Sequence, residues 1–230
     1  MIVDTSPPPK KQKGSESSDL VDIFTSARKC LDTHYDNTEK VIRHSRDITR
    51  LSKKAIFALH RFPVQLPQDY NLDAINKELS HISSLILTVF SEYLQGPFLF
   101  RYYRHICPAI QEFIEAAAFK SFLVDKNLLS NNDLVATYFA DSPVFIDDYS
   151  YILGLSDLAG EVNRYAIKAA TENNLSEVQR ALDFLKALEN GFFHISDFPQ
   201  PEKLAVKLHT LRESILKTEH ALFTLSITHL

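Results

Sequence analysis

The sequence predicts an all-α protein, a seven-helix elongated bundle with a long first helix. Apolar residues recur at three- and four-residue steps along most of the chain, which is the spacing of one helix face. Glycine is scarce, with 5 among 230 residues, whereas β-hairpins depend on glycine in their tight turns. No G-x-G-x-x-G or G-x-x-x-x-G-K-[ST] motif occurs, so nucleotide-dependent enzymes of those types are poorly supported.

Composition indicates a soluble intracellular protein. The chain is 45% hydrophobic and 23% charged, which is ordinary for a globular domain. Its two cysteines, Cys30 and Cys107, imply no disulfide framework and favour a reducing compartment. No stretch approaches the roughly 20 apolar residues that would span a bilayer, and no signal peptide is evident. We therefore expect no membrane association.

The chain divides into a short tail and one helical domain. Residues 1–18 are rich in Pro, Lys and Ser and are predicted to be disordered, whereas residues 19–230 form a single α-helical domain. The tail segment Pro9-Lys10-Lys11-Gln12-Lys13 resembles part of a nuclear import signal, with a plain solvated tail as the alternative. The expected localisation is cytoplasmic and nuclear.

The first helix is predicted to run from Asp19 to the break at Pro63. With roughly 40 residues it is about 60 Å long, which a small compact bundle cannot cover. It should therefore leave apolar surface exposed for subunit contacts. Six further helices are expected at about 69–95, 98–126, 131–139, 147–172, 176–193 and 201–226, separated by Pro- and Gly-containing breaks.

A cluster of positive charge lies on the first helix. Between Lys40 and Arg61 there are seven basic residues and one acidic residue. Such a cluster can attract phosphate backbones; a solvated helix face or pairing with an acidic partner subunit is the alternative. The candidate nucleic-acid-binding residues are Arg43, Arg46, Arg50, Lys53, Lys54, Arg101 and Arg104.

Two pairs of acids are the candidate catalytic and metal-binding residues. Glu112 and Glu115 are three residues apart in the third helix, and Asp157 and Glu161 are four apart in the fifth. Each spacing puts both carboxylates on one helix face within an apolar run. Carboxylates from facing helices form metal sites inside bundles, and oxygen ligands suit Mg²⁺.

Two interior glycines accompany the second acid pair. Gly154 and Gly160 each cost roughly 1 kcal/mol of helix propensity relative to alanine, so another backbone or a ligand is expected to approach this face. The competing interpretation of the acids is ion pairing with Arg101, Arg104 and Arg164. His60, His194, His209 and His220 are scattered and are interpreted as partners in local hydrogen bonds.

Four segments together resemble the translin family, and within it the Trax branch. They are Ser45–Thr49 with Ile56–Arg61, Gln111–Ala116, Tyr151–Glu161 and Lys207–Arg212. The segments keep their order from the first helix to the last, so the likeness covers essentially the whole folded region. The Asp157-Leu158-Ala159-Gly160-Glu161 element is the most specific of them.

The resemblance implies a Mg²⁺-dependent endoribonuclease, the catalytic subunit of a hollow hetero-octamer with translin. Its implied substrates are single-stranded RNA, including passenger strands of small interfering RNA and tRNA-processing fragments, with single-stranded DNA as a further candidate ligand. We expect Glu115, Asp157 and Glu161 to hold one Mg²⁺, with Glu112 as a further ligand or as the base that positions a water.

Two other functions stay open. The chain could be a non-catalytic helical scaffold that stabilises translin and helps to bind nucleic acid, in which case the acids serve only as ion-pair partners. It could also be a nucleic-acid-binding subunit without cleavage, whose RNA retention falls steeply with salt and is indifferent to chelation of Mg²⁺.

Overall fold

The computed structural model describes residues 15–195 and 201–228, and these residues form seven α-helices and no strand. The predicted fold class is therefore confirmed, and the predicted helix bounds differ from the observed ones by a few residues. The helices are α1 (Ser15–Leu59), α2 (Asp73–Tyr93), α3 (Phe98–Val124), α4 (Asn131–Tyr138), α5 (Asp148–Thr171), α6 (Leu175–Phe193) and α7 (Pro201–Thr228).

The chain separates into two compact units, residues 1–40 and residues 41–230. In the first unit, α1 begins at Ser15, inside the segment 1–18 that was predicted to be disordered. The rest of that tail, with the basic segment Pro9–Lys13, lies outside the described residues. The domain boundaries drawn from the sequence stay a prediction.

The first unit carries a row of exposed apolar side chains on α1. They are Leu20, Val21, Ile23, Phe24, Leu31 and Tyr35, each more than half exposed. The expected exposure of apolar surface on the long first helix is therefore confirmed. Contiguous rows of exposed apolar side chains commonly mark sites of contact with another protein.

The second unit is built around α3 and α5. These two helices pack against each other, α3 also packs against α2, and α5 also packs against α6 and α7. Side chains of α3 from Phe113 to Phe119 are almost all buried, and three consecutive alanines, Ala116–Ala118, lie within this stretch. The structure shows no helix among the described residues that is long and apolar enough to cross a bilayer.

Side-chain caps define where three of these helices begin. Ser130 accepts a hydrogen bond from the backbone N–H of Asp133, Asp147 from that of Ser150, and Asn174 from that of Glu177. Each cap satisfies a backbone donor that has no partner inside the helix. The cap at Asp147 fixes the start of α5, the helix that carries Asp157 and Glu161.

The two glycines of α5 have different surroundings. A Cβ at Gly154 would lie 2.8 Å from Ile114 Cβ and 2.9 Å from Gln111 O on α3, so α3 approaches this position closely, as expected. A Cβ at Gly160 would meet nothing within 4 Å. No other backbone approaches Gly160, which lines an open cavity instead, so the expected approach of a ligand at this position stays a prediction.

We expect Gly154→Ala to lower the free energy of unfolding by about 1–3 kcal/mol, because the added methyl overpacks the α3–α5 contact. Denaturant unfolding of both proteins measures the difference. Gly160→Ala is the matched control on the same helix, and it should raise stability by up to about 1 kcal/mol through helix propensity. Equal effects of the two substitutions would contradict this account of the packing.

Candidate functional site

The four predicted acids line one cavity of about 690 Å³, which we call the acid cavity. Glu112 and Glu115 come from α3, and Asp157 and Glu161 come from α5. The remaining lining comes from α1, α5 and α7: Lys53, Ile56, Phe57, Ser156, Gly160, Arg164, Lys207 and Thr210. The structure therefore brings together all four acids that were selected from the sequence.

Glu115 is the most buried of the four acids, with a relative exposure of 9%. Its pKa is raised from about 4.5 to about 8, chiefly by burial and then by the negative charges of Asp157, Glu112 and Glu161. Among the described residues it makes no ion pair, and Lys207 offsets the raised pKa only in part. A carboxylate in this position favours a proton or a metal cation beside it.

The other three acids contact cationic or ionisable side chains. Lys53 Nζ lies 3.2 Å from Glu112 Oε1, and Lys207 Nζ contacts Asp157 Oδ1. His60 Nε2 contacts Glu161 Oε2, and Arg164 lies 4.0 Å from the same oxygen. These contacts supply positive charge to the cavity from three different helices.

His60 and Lys207 are the functional-site residues that the sequence analysis missed. His60 was interpreted as a partner in local hydrogen bonds, and this is wrong, because its contact with Glu161 spans 101 residues of sequence. Lys207 had been noted only as part of a family-like segment. Both residues lie in segments that carry the resemblance to the translin family. A basic residue inside such a segment was therefore the sequence signal that could have identified them as site residues.

The predicted ion pairs of the third helix are also wrong. Arg104 donates from Nε to His105 and lines other cavities, and among the described residues neither Arg101 nor Arg104 pairs with Glu112. Arg101 is 11 positions before Glu112, about 16 Å along a helix axis, which is beyond side-chain reach. Of the three arginines proposed as counter-ions, only Arg164 contacts one of the acids.

The candidate nucleic-acid-binding residues do not form one surface at the acids. Lys53 lines the acid cavity, whereas Lys54 pairs with Glu78 on α2 and Arg50 with Asp47. Arg43 and Arg46 are exposed on α1 and do not line the cavity. Their role as phosphate contacts stays a prediction.

The donor set of the acid cavity suits a hard divalent cation. Four carboxylates face one space, and the pKa of Glu115 is raised there first by burial and then by the negative charge of the other three acids. However, no group of three or more Asp, Glu, His or Cys side chains in the described part of the chain already converges on one point. Binding of Mg²⁺ would require the carboxylates of Glu112, Asp157 and Glu161 to turn away from their present partners.

Comparison with solved structures identifies the same helical architecture elsewhere. The structure of apo-NeC3PO matches with a TM-score of 0.70 and 19% identity, over 88% of this chain and 96% of that one. The structure of the AfC3PO–duplex RNA complex also has a TM-score of 0.70 at 19% identity, over 89% and 97% of the two chains. At these identities the likeness concerns the fold alone.

Sequence comparison is more specific. Translin-associated protein X of Rattus norvegicus is 28% identical over 235 residues, covering 93% of this chain and 80% of the relative. The translin-associated protein X homolog of Schizosaccharomyces pombe is 31% identical over 204 residues, covering 85% and 84%. The sequence model of the translin family matches residues 36–229. The chain therefore belongs to the translin family and is similar over most of its length to proteins named translin-associated protein X.

Proposed function

We propose that this protein is the catalytic subunit of a complex with translin, a Mg²⁺-dependent endoribonuclease that cleaves single-stranded RNA. The observation that carries the proposal is the meeting of four carboxylates from two helices in one cavity, with Glu115 the most buried of them. The name of the relatives, translin-associated protein X, supports translin as the partner. The duplex RNA bound to the structural neighbour AfC3PO supports RNA as the ligand class.

Four acids around one cavity, with Glu115 buried, need a functional reason. A desolvated carboxylate surrounded by like charges opposes folding unless a proton or a cation compensates it. Three basic side chains, Lys53, Lys207 and Arg164, balance at most three of the four carboxylates in the acid cavity. Glu115 is the one that stays without a basic partner among the described residues, and a divalent cation would compensate it.

The four acids have two proposed roles. Glu115, Asp157 and Glu161 would hold the cation, and Glu112 would be a further ligand or would orient a water. When bound, Mg²⁺ polarises a phosphate and lowers the pKa of a coordinated water. Lys53 and Lys207, which now contact Glu112 and Asp157, are placed to contact the negative phosphate of a bound strand.

Cleavage is expected to leave a 5′-phosphate and a 3′-hydroxyl. Formation of a 2′,3′-cyclic phosphate requires a base and an acid that activate the 2′-hydroxyl and protonate the leaving group, as a histidine pair can. None of the described histidines lines the acid cavity, and the ring of His60, which contacts one of its acids, is already engaged by Glu161. End-labelling and mass spectrometry of the products would test this, and cyclic phosphate ends would contradict it.

The test of the proposed function is a cleavage assay of the chain with and without translin, in Mg²⁺ and in EDTA. We expect cleavage of single-stranded RNA that requires both Mg²⁺ and the partner. The exposed apolar row on α1 is the reason for expecting partner dependence. Full activity of the isolated chain in EDTA would refute both the requirement for Mg²⁺ and the requirement for translin. Size-exclusion chromatography with light scattering would measure the proposed hetero-octamer.

The ion pairs in the acid cavity favour one alternative, a non-catalytic scaffold that stabilises translin. In that case Lys53, His60 and Lys207 are the permanent partners of the acids. The scaffold predicts that removing an acid weakens folding or assembly, and that no cleavage depends on it. The two proposals therefore differ in whether cleavage is lost when Glu115 is neutralised.

A further inference from the structure

A second cavity, of about 590 Å³, begins where the acid cavity ends, and we call it the basic groove. It lies between α3, α5 and α7, and Lys207 lines both cavities. Arg104 and Lys203 add two further positive charges along its length, against one acidic residue, Glu202. A path of net positive charge therefore leads away from the four acids.

The groove continues into a third cavity of about 370 Å³, which we call the aromatic pocket. Arg104, Cys107 and Tyr149 line both, so the two spaces are adjacent. The pocket also contains Phe100 and Phe145, which are 88% and 59% exposed. Aromatic rings this exposed beside an arginine form a surface for flat, partly charged ligands.

The polar groups at the base of the aromatic pocket are already satisfied by one another. Tyr103 OH donates to the carboxylate of Asp147, and Ser150 Oγ donates to the same oxygen at 2.6 Å. Burial raises the pKa of Asp147, but these hydrogen bonds outweigh it, so the pKa lies below its ordinary value and the carboxylate stays ionised. The pocket therefore offers ring faces to a ligand rather than a set of unpaired hydrogen-bonding groups.

The two cations of the groove are available to a ligand. The guanidinium of Arg104 donates from Nε to His105 Nε2 at 3.1 Å, which leaves its Nη groups for phosphate. Lys203 Nζ lies 3.5 Å from Tyr149 OH and makes no ion pair with the described residues. Cations beside exposed rings are the elements with which proteins bind a single strand without reading its sequence.

We propose that the basic groove and the aromatic pocket hold the single strand on one side of the cleaved phosphate. Backbone phosphates contact Arg104 and Lys203, and an unpaired base stacks on Phe100 and Phe145. This rests on the proposed function, because the strand is taken to have its reacting phosphate in the acid cavity. From Phe100 to Glu115, α3 rises about 22 Å, so the path accommodates a segment of strand rather than one nucleotide.

The substrate preference follows from the geometry of stacking. A base can enter the aromatic pocket only if it has left a duplex, so the pocket selects unpaired strands and tolerates every base. Because the phosphate contacts are electrostatic, affinity falls with salt by about 0.7 logarithmic units per contact for each tenfold increase in salt.

The test measures binding without cleavage, by fluorescence anisotropy of a labelled oligouridylate in EDTA. The full chain is used assembled with translin, or alone if no assembly forms, and each variant is compared with the wild-type preparation. Phe100→Ala combined with Phe145→Ala is expected to weaken binding about tenfold. Phe100→Trp should preserve it. Phe223→Ala, which removes a ring that is 65% exposed from α7, is the control and should have no effect.

An abasic strand of the same length separates stacking from other effects. It should bind the double variant and the wild type equally, because it has no base to place in the pocket. Lys203→Ala should lower the salt slope by about 0.7 for both strands. Equal weakening of the two strands, no weakening of either, or loss of assembly with translin in the double variant would each overturn the proposal.

The outcome is independent of the nuclease assay. If Mg²⁺ supports no cleavage but the base-dependent effect of Phe100 is present, the proposed catalytic function fails and the strand-binding path stands. If cleavage occurs and the aromatic variants bind oligouridylate like the wild type, the path is wrong and the catalytic function stands.

Discussion

Glu115→Gln is expected to reduce Mg²⁺-dependent RNA cleavage by about 10²–10³-fold or more, the effect of removing one preorganised electrostatic group from an active site. The substitution keeps the shape of the side chain and removes one negative charge from the proposed set of metal ligands. Glu115 is the most buried acid of the cavity, so a water molecule cannot easily replace its carboxylate as a metal ligand. Cleavage of labelled single-stranded RNA under saturating Mg²⁺ measures the loss.

The same substitution is expected to stabilise the metal-free protein. The folded state raises the pKa of Glu115 to about 8 through burial and the charges of Asp157, Glu112 and Glu161. Between about pH 4.5 and 8 the native state therefore binds a proton that the unfolded state has released, so its stability falls as pH rises through that window. Glutamine does not titrate, so the variant lacks this pH dependence. At pH 8 its free energy of unfolding should exceed that of the wild type by at least about 1 kcal/mol.

Added Mg²⁺ provides the third readout. A ligand that binds only the native state raises its stability by RT ln(1 + [L]/Kd), so the melting temperature of the wild type should rise with Mg²⁺ and that of the variant should not. Glu78→Gln is the control, because Glu78 pairs with Lys54 outside the acid cavity. Loss of stability in Glu115→Gln, with cleavage unchanged, would contradict the metal site and support the scaffold.

Local sequence patterns were sufficient to predict the helices. Apolar periodicity determined each span, and proline or glycine at positions such as Pro63 and Gly96 determined the ends. The acids could be selected because spacings of three and four residues put them on one helix face, and a carboxylate in an apolar run needs a partner. Gly154 was informative for the same reason, since helix propensity alone would favour alanine there.

Apart from Arg164, the partners of the acids could not be predicted, because they come from distant segments. Lys53 lies on α1, His60 directly follows it, and Lys207 lies on α7. Only tertiary packing brings these residues to the acids of α3 and α5. Arg101 and Arg104 were predicted as partners because they share a helix with Glu112. That prediction gave too much weight to nearness in sequence. Angular position on a helix can be derived from sequence, whereas the identity of the facing helix cannot.

Arg180→Ala is the substitution from which we expect the largest loss of stability, about 3–5 kcal/mol. The guanidinium lies 2.6 Å from Glu177 Oε2, donates to Phe122 O at 3.2 Å, and lies 4.3 Å from the centre of the Phe122 ring. Its side chain is 24% exposed and that of Glu177 is 16% exposed. Removing the arginine would leave a half-buried carboxylate without its main partner, which costs more than the lost contacts themselves.

The cluster around Arg180 connects the two helices that carry the acids. Phe122 is on α3, two turns beyond Glu115, and Tyr165 is on α5, one turn beyond Glu161. The Tyr165 hydroxyl lies 2.7 Å from Glu177 Oε2 and 2.9 Å from Val64 O. Arg180 therefore holds α3, α5 and α6 together at a point close to the acid cavity without contacting it.

The pH dependence of the Arg180→Ala effect follows from Glu177. Burial raises the pKa of this carboxyl, but hydrogen bonds from Arg180 and Tyr165 outweigh it, so the pKa lies below its ordinary value. A depressed carboxyl pKa contributes stability above the unfolded pKa, about 4.3, and loses it as pH falls through the folded pKa. The difference in unfolding free energy between wild type and variant should therefore shrink in acid.

Denaturant unfolding at neutral and acidic pH measures the loss, and Lys186→Ala is the control on the same helix. Lys186 pairs with Glu219 at 2.7 Å, but both side chains are more than 40% exposed, so its removal should cost at most about 1 kcal/mol. Because Arg180 does not line the acid cavity, cleavage by the folded variant should persist well below its melting temperature. Equal losses from the two substitutions would show that burial of the Arg180 cluster adds nothing to the α3–α5 pairing that positions the acids.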